Sequence, residues 1–226
     1  MAIEDAKKAA GRAAADLIKN DMIVGLGTGS TANYFIEELA FRVKHGLHLK
    51  AAIPSSKRSH DLAKRLALPV QDINDAPYID ITVDGADEID PLKRIIKGGG
   101  GAHVREKILA ANSHEMIVIV DEAKRVPKVG VGKLPIEILF YGSPATRNRL
   151  EKMGYFGKWR LNENGSLFIT ENSNLIYDVF FDAPPAYPEQ VHEEIIHIPG
   201  VIDTGFFFNL AGRVIIGFLD GHFEIQ

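Results

Sequence analysis

The stretch MIVGLGTGST at residues 22–31 is a short apolar run that ends in a glycine turn. Met22 to Leu26 have the length and the uninterrupted hydrophobicity of a buried strand. The residues after the turn place Tyr34, Phe35 and Leu39 at the spacing of one helix face. A strand, a glycine turn and a helix form the repeating unit of an α/β fold, so this stretch predicts a parallel sheet.

The alternation of strand and helix patterns continues through the first half of the chain. Apolar, β-branched runs at residues 49–53, 79–83 and 116–120 alternate with amphipathic, helical stretches. This order favours a mostly parallel sheet that is covered by helices on both faces. We therefore predict a doubly wound, Rossmann-like α/β domain from residues 1–129, completed by an apolar C-terminal segment at residues 206–226.

Residues 130–205 have a different order of elements. A strand is followed by a helix that begins at Ser143, by two strands around the turn NENG at residues 162–165, and by a second helix and a final strand. This β-α-β-β-α-β order, with one strand added near residues 174–181, is typical of a split βαβ unit. We predict a smaller, ferredoxin-like α+β domain.

The composition of the 226-residue chain excludes several classes of protein. A formal net charge of −4 argues against a general nucleic-acid-binding protein, which needs a basic face. The absence of cysteine excludes disulfides, thiolate metal sites and cysteine nucleophiles. Residues 1–18 form an amphipathic helix rather than a signal peptide, and no apolar run approaches the roughly 18 residues of a membrane span. We therefore expect a cytoplasmic protein that binds neither nucleic acid nor membrane.

The glycine turn at residues 25–31 has the features of an anion site. Its glycines let a ligand approach the backbone, and N–H groups at the start of the next helix attract negative charge. Ser30 and Thr31 add hydroxyl donors. The turn lacks the G-x-G-x-x-G spacing of a dinucleotide site and the acidic residue after the next strand, so a monophosphate fits better. A tight turn without a ligand is the alternative.

Four carboxylates lie within the segment DGADEID at residues 84–90, directly after the apolar run at 79–83. The carboxyl end of a parallel strand is the edge at which such sheets bind ligands. Asp84 and Asp87 are therefore candidates to bind sugar hydroxyls. A solvated acidic turn and a cation site are the alternatives, although the spacing departs from an EF-hand loop.

The segment KGGGGA at residues 97–102 precedes a predicted helix. Four consecutive glycines cost conformational entropy, so a sequence tolerates them where side chains would obstruct a ligand. The segment predicts a nest of backbone donors with Lys97 at its entrance, suited to negative charge on a substrate oxygen. Glu106, one turn into the helix, is a candidate general base. A flexible linker is the alternative for the glycine segment, and a glutamate that only favours the helix dipole is the alternative for Glu106. Lys124, which follows the apolar run at 116–120, is a further candidate at this edge of the sheet, and a surface lysine is the alternative for it.

The eight histidines show no metal-binding spacing. His192 and His197 are five residues apart, which misses the spacing of a helical metal pair, and no H-E-x-x-H motif is present. We predict no metal site.

Five motifs in order resemble the type A ribose-5-phosphate isomerases. They are GLGTGSTA at 25–32, DGADEID at 84–90, IKGGGGA at 96–102, REK at 105–107 and DEAK at 121–124. The resemblance spans essentially the whole chain, and the conjunction of the five motifs is specific where any one of them is not. The small domain departs from the family at residues 171–174, where ENSN replaces an aspartate-asparagine-glycine-asparagine turn.

The resemblance implies an aldose-ketose isomerase that interconverts D-ribose 5-phosphate and D-ribulose 5-phosphate through an enediolate, in the non-oxidative branch of the pentose phosphate pathway. It implies no cofactor and a homo-oligomer, with a homodimer favoured. Glu106 is then the proton acceptor, and the other catalytic residues are Asp84, Asp87 and Lys97. The implied substrate-binding residues are Thr28, Gly29, Ser30, Thr31, Asp84, Gly85, Ala86, Asp87, Lys97, Gly98, Gly99, Gly100 and Lys124, with Lys7 assisting at the phosphate.

Two other kinds of function remain open on the sequence. A sugar-phosphate deaminase or lactonase of the same broad fold would lack the paired KGGGGA and REK motifs and would usually use a histidine, for which His103 is the candidate. A sugar-phosphate-binding regulatory domain predicts an attached helix-turn-helix, whereas residues 1–20 have room for one helix.

Overall fold

The computed structural model describes residues 2–226, which divide into two compact units. The first unit contains the chain up to Ala86, together with Arg105–Arg125 and Asn209–Gln226. The second unit contains Asp87–Val104 and Val126–Phe208. The predicted limits assign residues 87–104 to the larger domain, whereas the contacts group them with the second unit.

The elements alternate along the chain as follows. The helices are α1 (Ala2–Asp16), α2 (Ser30–Lys44), α3 (Lys57–Arg65), α4 (His103–Ala111), α5 (Ser143–Lys152) and α6 (Pro188–Ile196). The strands are β1 (Met22–Leu26), β2 (Leu49–Pro54), β3 (Ile79–Asp84), β4 (Glu88–Ile89), β5 (Ile95–Ile96), β6 (Ser113–Asp121), β7 (Lys133–Ile138), β8 (Gly157–Trp159), β9 (Leu175–Phe180), β10 (Val201–Thr204), β11 (Phe206–Phe207), β12 (Ala211–Gly217) and β13 (Phe223–Ile225). Within residues 2–226, every helix is too short or too polar to span a lipid bilayer.

A six-stranded sheet in the order β13-β12-β6-β3-β1-β2 forms the centre of the first unit. The strands from β12 to β2 pair in parallel, and β13 adds an antiparallel edge. The predicted return of the C-terminal segment to this sheet is confirmed by the pairing of β12 with β6. The prediction of a doubly wound, mostly parallel α/β fold is therefore confirmed.

Apolar side chains of the first unit bury both faces of this sheet. Val24 and Leu26 pack with Phe35 of α2 on one face, and Ile23 packs with Leu109 of α4 on the other. Burial of such a side chain contributes about 1.5–3 kcal/mol. The two faces explain why the strands are almost continuously hydrophobic rather than alternating.

The second unit contains a four-stranded antiparallel sheet in the order β10-β7-β9-β8. Together with α5 and α6, this order is the ferredoxin-like arrangement that the element order predicts. The strand predicted near residues 174–181 is present as β9, but it is the third strand of the β-α-β-β-α-β unit rather than an added one. The predicted strand after the turn at 162–165 is wrong, because residues 167–170 make only isolated bridges, between Leu161 and Leu167 and between Ile169 and Leu175.

A small sheet of β11, β5 and β4 explains why residues 87–104 belong to the second unit. β5 pairs with β4 and with β11, both antiparallel. Phe206 and Phe207 of β11 are each 1% exposed, so they are core residues of this unit.

Candidate functional site

Two of the predicted motifs follow adjacent parallel strands of the first unit. β1 ends at Leu26 and β3 ends at Asp84, and Leu26 lies in register with Val83. The chain continues from β1 to β2 on one side and from β3 to β6 on the other, so the winding of the sheet reverses between β1 and β3. Ligands of open α/β sheets bind at such a switch point. The glycine turn and the acidic segment therefore lie where this fold favours a ligand.

The glycine turn approaches Asp84 closely. A Cβ atom on Gly27 would lie 2.1 Å from Asp84 Oδ1, so a larger residue at this position would displace the carboxylate. The Thr28 N–H donates to the same oxygen at 3.1 Å, and the Gly85 N–H donates to it at 2.7 Å. One fully buried carboxylate oxygen thus joins the loops that follow β1 and β3.

The first turn of α2 has the features of an anion site. Gly29 is its N-cap residue, has φ +125° and carries no side chain that could cap the helix. A Cβ atom on Gly29 would meet nothing within 4 Å, so the backbone is approachable from this side. Lys7 Nζ donates to Ser30 Oγ at 2.9 Å and adds a positive charge to the electropositive end of the helix.

Thr28 belongs to a cluster of three hydroxyl groups. Its Oγ1 lies 2.8 Å from Ser55 Oγ and 2.7 Å from Ser56 Oγ. Ser56 also caps α3 by accepting the Ser59 N–H at 3.1 Å. The contact of both serines with Thr28 depends on the pairing of β1 with β2, which local patterns do not reveal.

Glu106 lies in the first turn of α4 and is only 4% exposed. Three residues later, Leu109 packs with Ile23 and Ile53 on the sheet of the first unit. This packing fixes α4 and with it the carboxylate. Glutamate is seldom so deeply buried unless it is paired or has a function, so Glu106 differs from the exposed glutamates that usually favour a helix start.

Lys124 follows β6 at the same edge of the sheet as Asp84. β6 is parallel to β3 and ends at Asp121, whose Oδ1 accepts the Ala123 N–H at 3.2 Å. This bond begins a 3₁₀ turn that ends at Lys124. Lys124 is half-buried rather than fully exposed.

Asp87, Lys97 and the glycine segment 98–101 belong to the second unit. Asp87 Oδ2 accepts the Gly99 N–H at 2.7 Å, so the acidic motif is bonded to the glycine segment. Lys97 is 3% exposed, and its Nζ lies 5.8 Å from the centre of the Phe207 ring. A buried ammonium group beside an aromatic ring is held in one place rather than moving freely in solvent.

The glycine segment is an ordered turn. Gly98 and Gly101 have φ of +105° and +80°, which favour glycine, and the Gly101 N–H donates to Gly98 O at 3.0 Å. A Cβ atom on Gly98 would lie 2.8 Å from Nδ1 of the fully buried His103. The flexible-linker interpretation is therefore wrong.

Two of the four carboxylates in residues 84–90 serve the fold. Glu88 Oε2 accepts the N–H groups of Gly130 at 2.6 Å and Val131 at 3.2 Å. Asp90 Oδ2 accepts from Arg94 Nε at 2.6 Å. Both carboxylates are buried, so the segment is not a solvated acidic turn.

The predicted site residues fall into two groups. Those in the first unit are Thr28, Gly29, Ser30, Thr31, Asp84, Gly85, Ala86, Glu106 and Lys124. Those in the second unit are Asp87, Lys97, Gly98, Gly99 and Gly100. Within residues 2–226, histidine, aspartate and glutamate side chains form no group of three that could hold a metal ion.

Comparison with known proteins gives one family. Residues 51–221 match the family model described as ribose 5-phosphate isomerase A (phosphoriboisomerase A). A protein of Protochlamydia amoebophila named ribose-5-phosphate isomerase A is 46% identical over 220 residues, which cover 97% of this chain and 94% of the relative.

Solved structures agree with the sequence relatives. Ribose 5-phosphate isomerase from Plasmodium falciparum has a TM-score of 0.94 at 36% identity and covers 99% of this chain and 98% of its own. A D-ribose-5-phosphate isomerase in complex with phospho-erythronic acid has a TM-score of 0.94 at 34% identity and covers 100% of this chain and 99% of its own. The chain thus belongs to the ribose 5-phosphate isomerase A family.

Proposed function

We propose that Glu106 is the base that moves the proton when the chain interconverts D-ribose 5-phosphate and D-ribulose 5-phosphate, the aldose-ketose isomerisation of its family. The observation that carries this assignment is a glutamate that is 4% exposed in the first turn of α4, directly after the glycine segment. A general base positioned in this way is typically worth about 10²–10⁴-fold in rate.

The chemistry follows from the acidity of the hydrogen on carbon 2 of the open-chain aldose. The Glu106 carboxylate takes this proton, and the electrons of the broken C–H bond form a carbon 1–carbon 2 double bond. The carbonyl oxygen gains negative charge, which gives the enediolate. The proton of the carbon 2 hydroxyl passes to the oxygen on carbon 1 and leaves the negative charge on the oxygen of carbon 2. Glu106 then returns its proton to carbon 1, which takes the electrons of the double bond, while the charged oxygen on carbon 2 becomes the carbonyl of the ketose.

The phosphate is assigned to the first turn of α2. Thr28, Gly29, Ser30 and Thr31 supply backbone and hydroxyl donors, and Lys7 adds a positive charge through its bond with Ser30. The N–H groups and the dipole of an uncapped helix start form a site that attracts a phosphate. Binding energy at this remote group orients the reacting carbons.

The remaining polar residues are assigned to the sugar. Lys97 and the N–H groups of Gly98 and Gly100 stabilise the enediolate oxygens, a role in which one donor is worth about 3–4 kcal/mol of barrier. Gly99 adds its bond to Asp87, which joins the glycine segment to the acidic motif. Ring opening is assigned to Asp84 or Asp87, with Lys97. Gly85, Ala86 and Lys124 complete the set of substrate-binding residues.

A comparison of three substrates tests the reaction. Ribose 5-phosphate, glucosamine 6-phosphate and a phosphogluconolactone are supplied separately, and formation of ribulose 5-phosphate, release of ammonia and opening of the lactone are followed. We expect turnover of ribose 5-phosphate alone. Turnover of either of the other two, with none of ribose 5-phosphate, would favour the deaminase or lactonase alternative. Tight binding of ribose 5-phosphate without turnover would favour the regulatory one.

We also propose that the chain acts in the cytoplasm as a homo-oligomer, with a homodimer favoured. Large apolar side chains of the second unit, among them Phe140, Tyr141 and Phe156, are more than half exposed and would suit such an interface. Light scattering coupled to size exclusion is expected to give twice the 24.9 kDa of one chain. The mass of one chain at micromolar concentration would contradict the proposal.

A further inference from the structure

The side chain of Arg160, in the second unit, contacts the backbone of the glycine segment. Arg160 directly follows β8, and its Nη1 donates to Gly98 O at 2.6 Å and to Gly99 O at 3.2 Å. The side chain is 8% exposed. Arg160 lies about sixty positions from these glycines in the sequence, and no motif identified above contains it.

The guanidinium group of Arg160 is fixed by several neighbours. Its Nε donates to Asp178 Oδ2 at 3.0 Å, and its Nη2 donates to Asp178 Oδ1, so the pair has two parallel bonds. Lys133 Nζ holds the same carboxylate at 2.8 Å. The guanidinium carbon lies 5.8 Å from the centre of the Phe168 ring.

The backbone of Arg160 is anchored as well. Its N–H donates to Ile176 O at 2.8 Å, and its carbonyl accepts the Phe168 N–H at 2.9 Å. The contacts of the side chain and of the backbone together therefore hold the Nη1 group, which donates to Gly98 O and Gly99 O, at one fixed position.

The two carbonyl contacts determine where the glycine N–H groups point. In a trans peptide the C=O of one residue and the N–H of the next point in opposite directions. The Gly98 carbonyl faces Arg160, and the following Gly99 N–H faces the other way and meets Asp87 Oδ2 at 2.7 Å. The Gly99 carbonyl also faces Arg160, so the N–H of Gly100 points away from it. Gly99 and Gly100 are exposed.

The ion pair is better suited to this positioning than to stability. Burying a charged pair costs desolvation energy, and apolar side chains of similar volume are often as stabilising. An apolar pair, however, could not donate to two carbonyl groups. The hydrogen bonds from Arg160 to Gly98 and Gly99 are thus what the buried charge makes possible.

We propose that Arg160, held by Asp178, is a positioning residue for the isomerisation: it fixes the carbonyl groups of Gly98 and Gly99, so that the Gly99 N–H stays bonded to Asp87 and the Gly100 N–H faces the substrate. The inference rests on the proposed role of the glycine segment as a donor to the enediolate. Arg160 itself does not touch the reacting atoms.

Three variants test the inference. Arg160→Met removes the donors, and Arg160→Lys keeps a positive charge for Asp178 but loses the planar fork that reaches both carbonyl groups. Lys133→Met is the matched control, because it removes another bond to the same Asp178 oxygen and leaves the contacts of Arg160 with the glycines in place. Each variant is measured for kcat and KM with ribose 5-phosphate and for hydrogen exchange of the peptide that spans residues 98–101.

Both Arg160 variants are expected to exchange faster at residues 98–101 and to lose at least about tenfold in kcat, with KM changed far less, because donors aimed at developing charge act in the transition state. Lys133→Met is expected to match the wild type in both measurements. If Arg160→Met does not fold, Arg160→Lys carries the test.

Two results overturn the inference, and they differ in what else they affect. Unchanged exchange in the Arg160 variants would show that Arg160 does not hold the segment, and the proposed role of the glycines would stand. Faster exchange with kcat within about twofold of the wild type would show that the segment is held by Arg160 but has no role in the reaction, so the proposed function of the glycines would fail as well.

Discussion

Gly27 and Asp84 are so close that a Cβ atom on the glycine would lie 2.1 Å from Asp84 Oδ1. The same oxygen accepts the N–H groups of Thr28 and Gly85, so the contact lies at the junction of the phosphate turn and the acidic motif. Position 27 therefore affects both the backbone donors of the turn and the orientation of a buried carboxylate.

Gly27→Ala is expected to lower kcat/KM for ribose 5-phosphate at least about tenfold, because the new methyl group must displace Asp84 or the turn by more than an ångström. Steady-state kinetics measure this loss. Gly165→Ala serves as the control, since Gly165 has open space around it in an exposed turn, and only its positive φ of +80° disfavours a side chain there. The control should cost about 1 kcal/mol of stability from backbone strain and leave kcat/KM unchanged. Equal kinetic losses in the two variants would contradict the role of the Gly27 contact.

Lys7→Met is expected to raise KM for ribose 5-phosphate by about tenfold with a smaller change in kcat, because it removes a positive charge from the phosphate turn but no group that acts in the transition state. Lys8→Met is the matched control, since Lys8 lies next to it on α1 and its Nζ is 5.7 Å from the centre of the Tyr34 ring. The assignment predicts that added salt raises KM of the wild type more than KM of Lys7→Met. Identical KM values for the two variants would remove Lys7 from the phosphate site.

Asp178 makes the stability of the protein depend on pH in the acid range. Burial raises the pKa of its carboxyl group, but the hydrogen bonds and charge of Arg160, followed by those of Lys133, outweigh burial and hold the pKa below 3.8. A carboxylate with a lowered folded-state pKa adds stability above its unfolded-state pKa and loses it as the pH falls through the folded value. The free energy of unfolding should therefore fall between about pH 5 and pH 2 more steeply in the wild type than in Asp178→Asn. Urea denaturation at several pH values measures both slopes, and parallel slopes would contradict the pairing.

Much of the fold follows from local patterns in the sequence. The apolar runs of β1, β3 and β6 are bounded by turn residues and are separated by helices, so their parallel arrangement is the expected one. Since ligands of such sheets bind at the carboxyl ends of the strands, the places of Thr28 and Asp84 could also be predicted.

Other features depend on partners that are distant in the sequence. In the sequence, Glu88 and Asp90 cannot be told apart from Asp84 and Asp87. In the structure, Glu88 and Asp90 stabilise the fold, because Glu88 accepts from the backbone of residues 130–132 and Asp90 accepts from Arg94. Arg160 reaches glycines about sixty positions away only because β8 and β9 pair as they do. The strand predicted at residues 167–170 is absent because that stretch, although apolar, makes only isolated bridges.

The most direct test of the central claim is the turnover number of Glu106→Gln, a variant that keeps the shape of the side chain and removes its basicity. We expect kcat for ribose 5-phosphate to fall by at least about a hundredfold while KM stays within about threefold of the wild-type value, since only the proton transfer is affected. A kcat within about threefold of the wild type in a folded Glu106→Gln variant would contradict the account, because the proton would then be moved by another group.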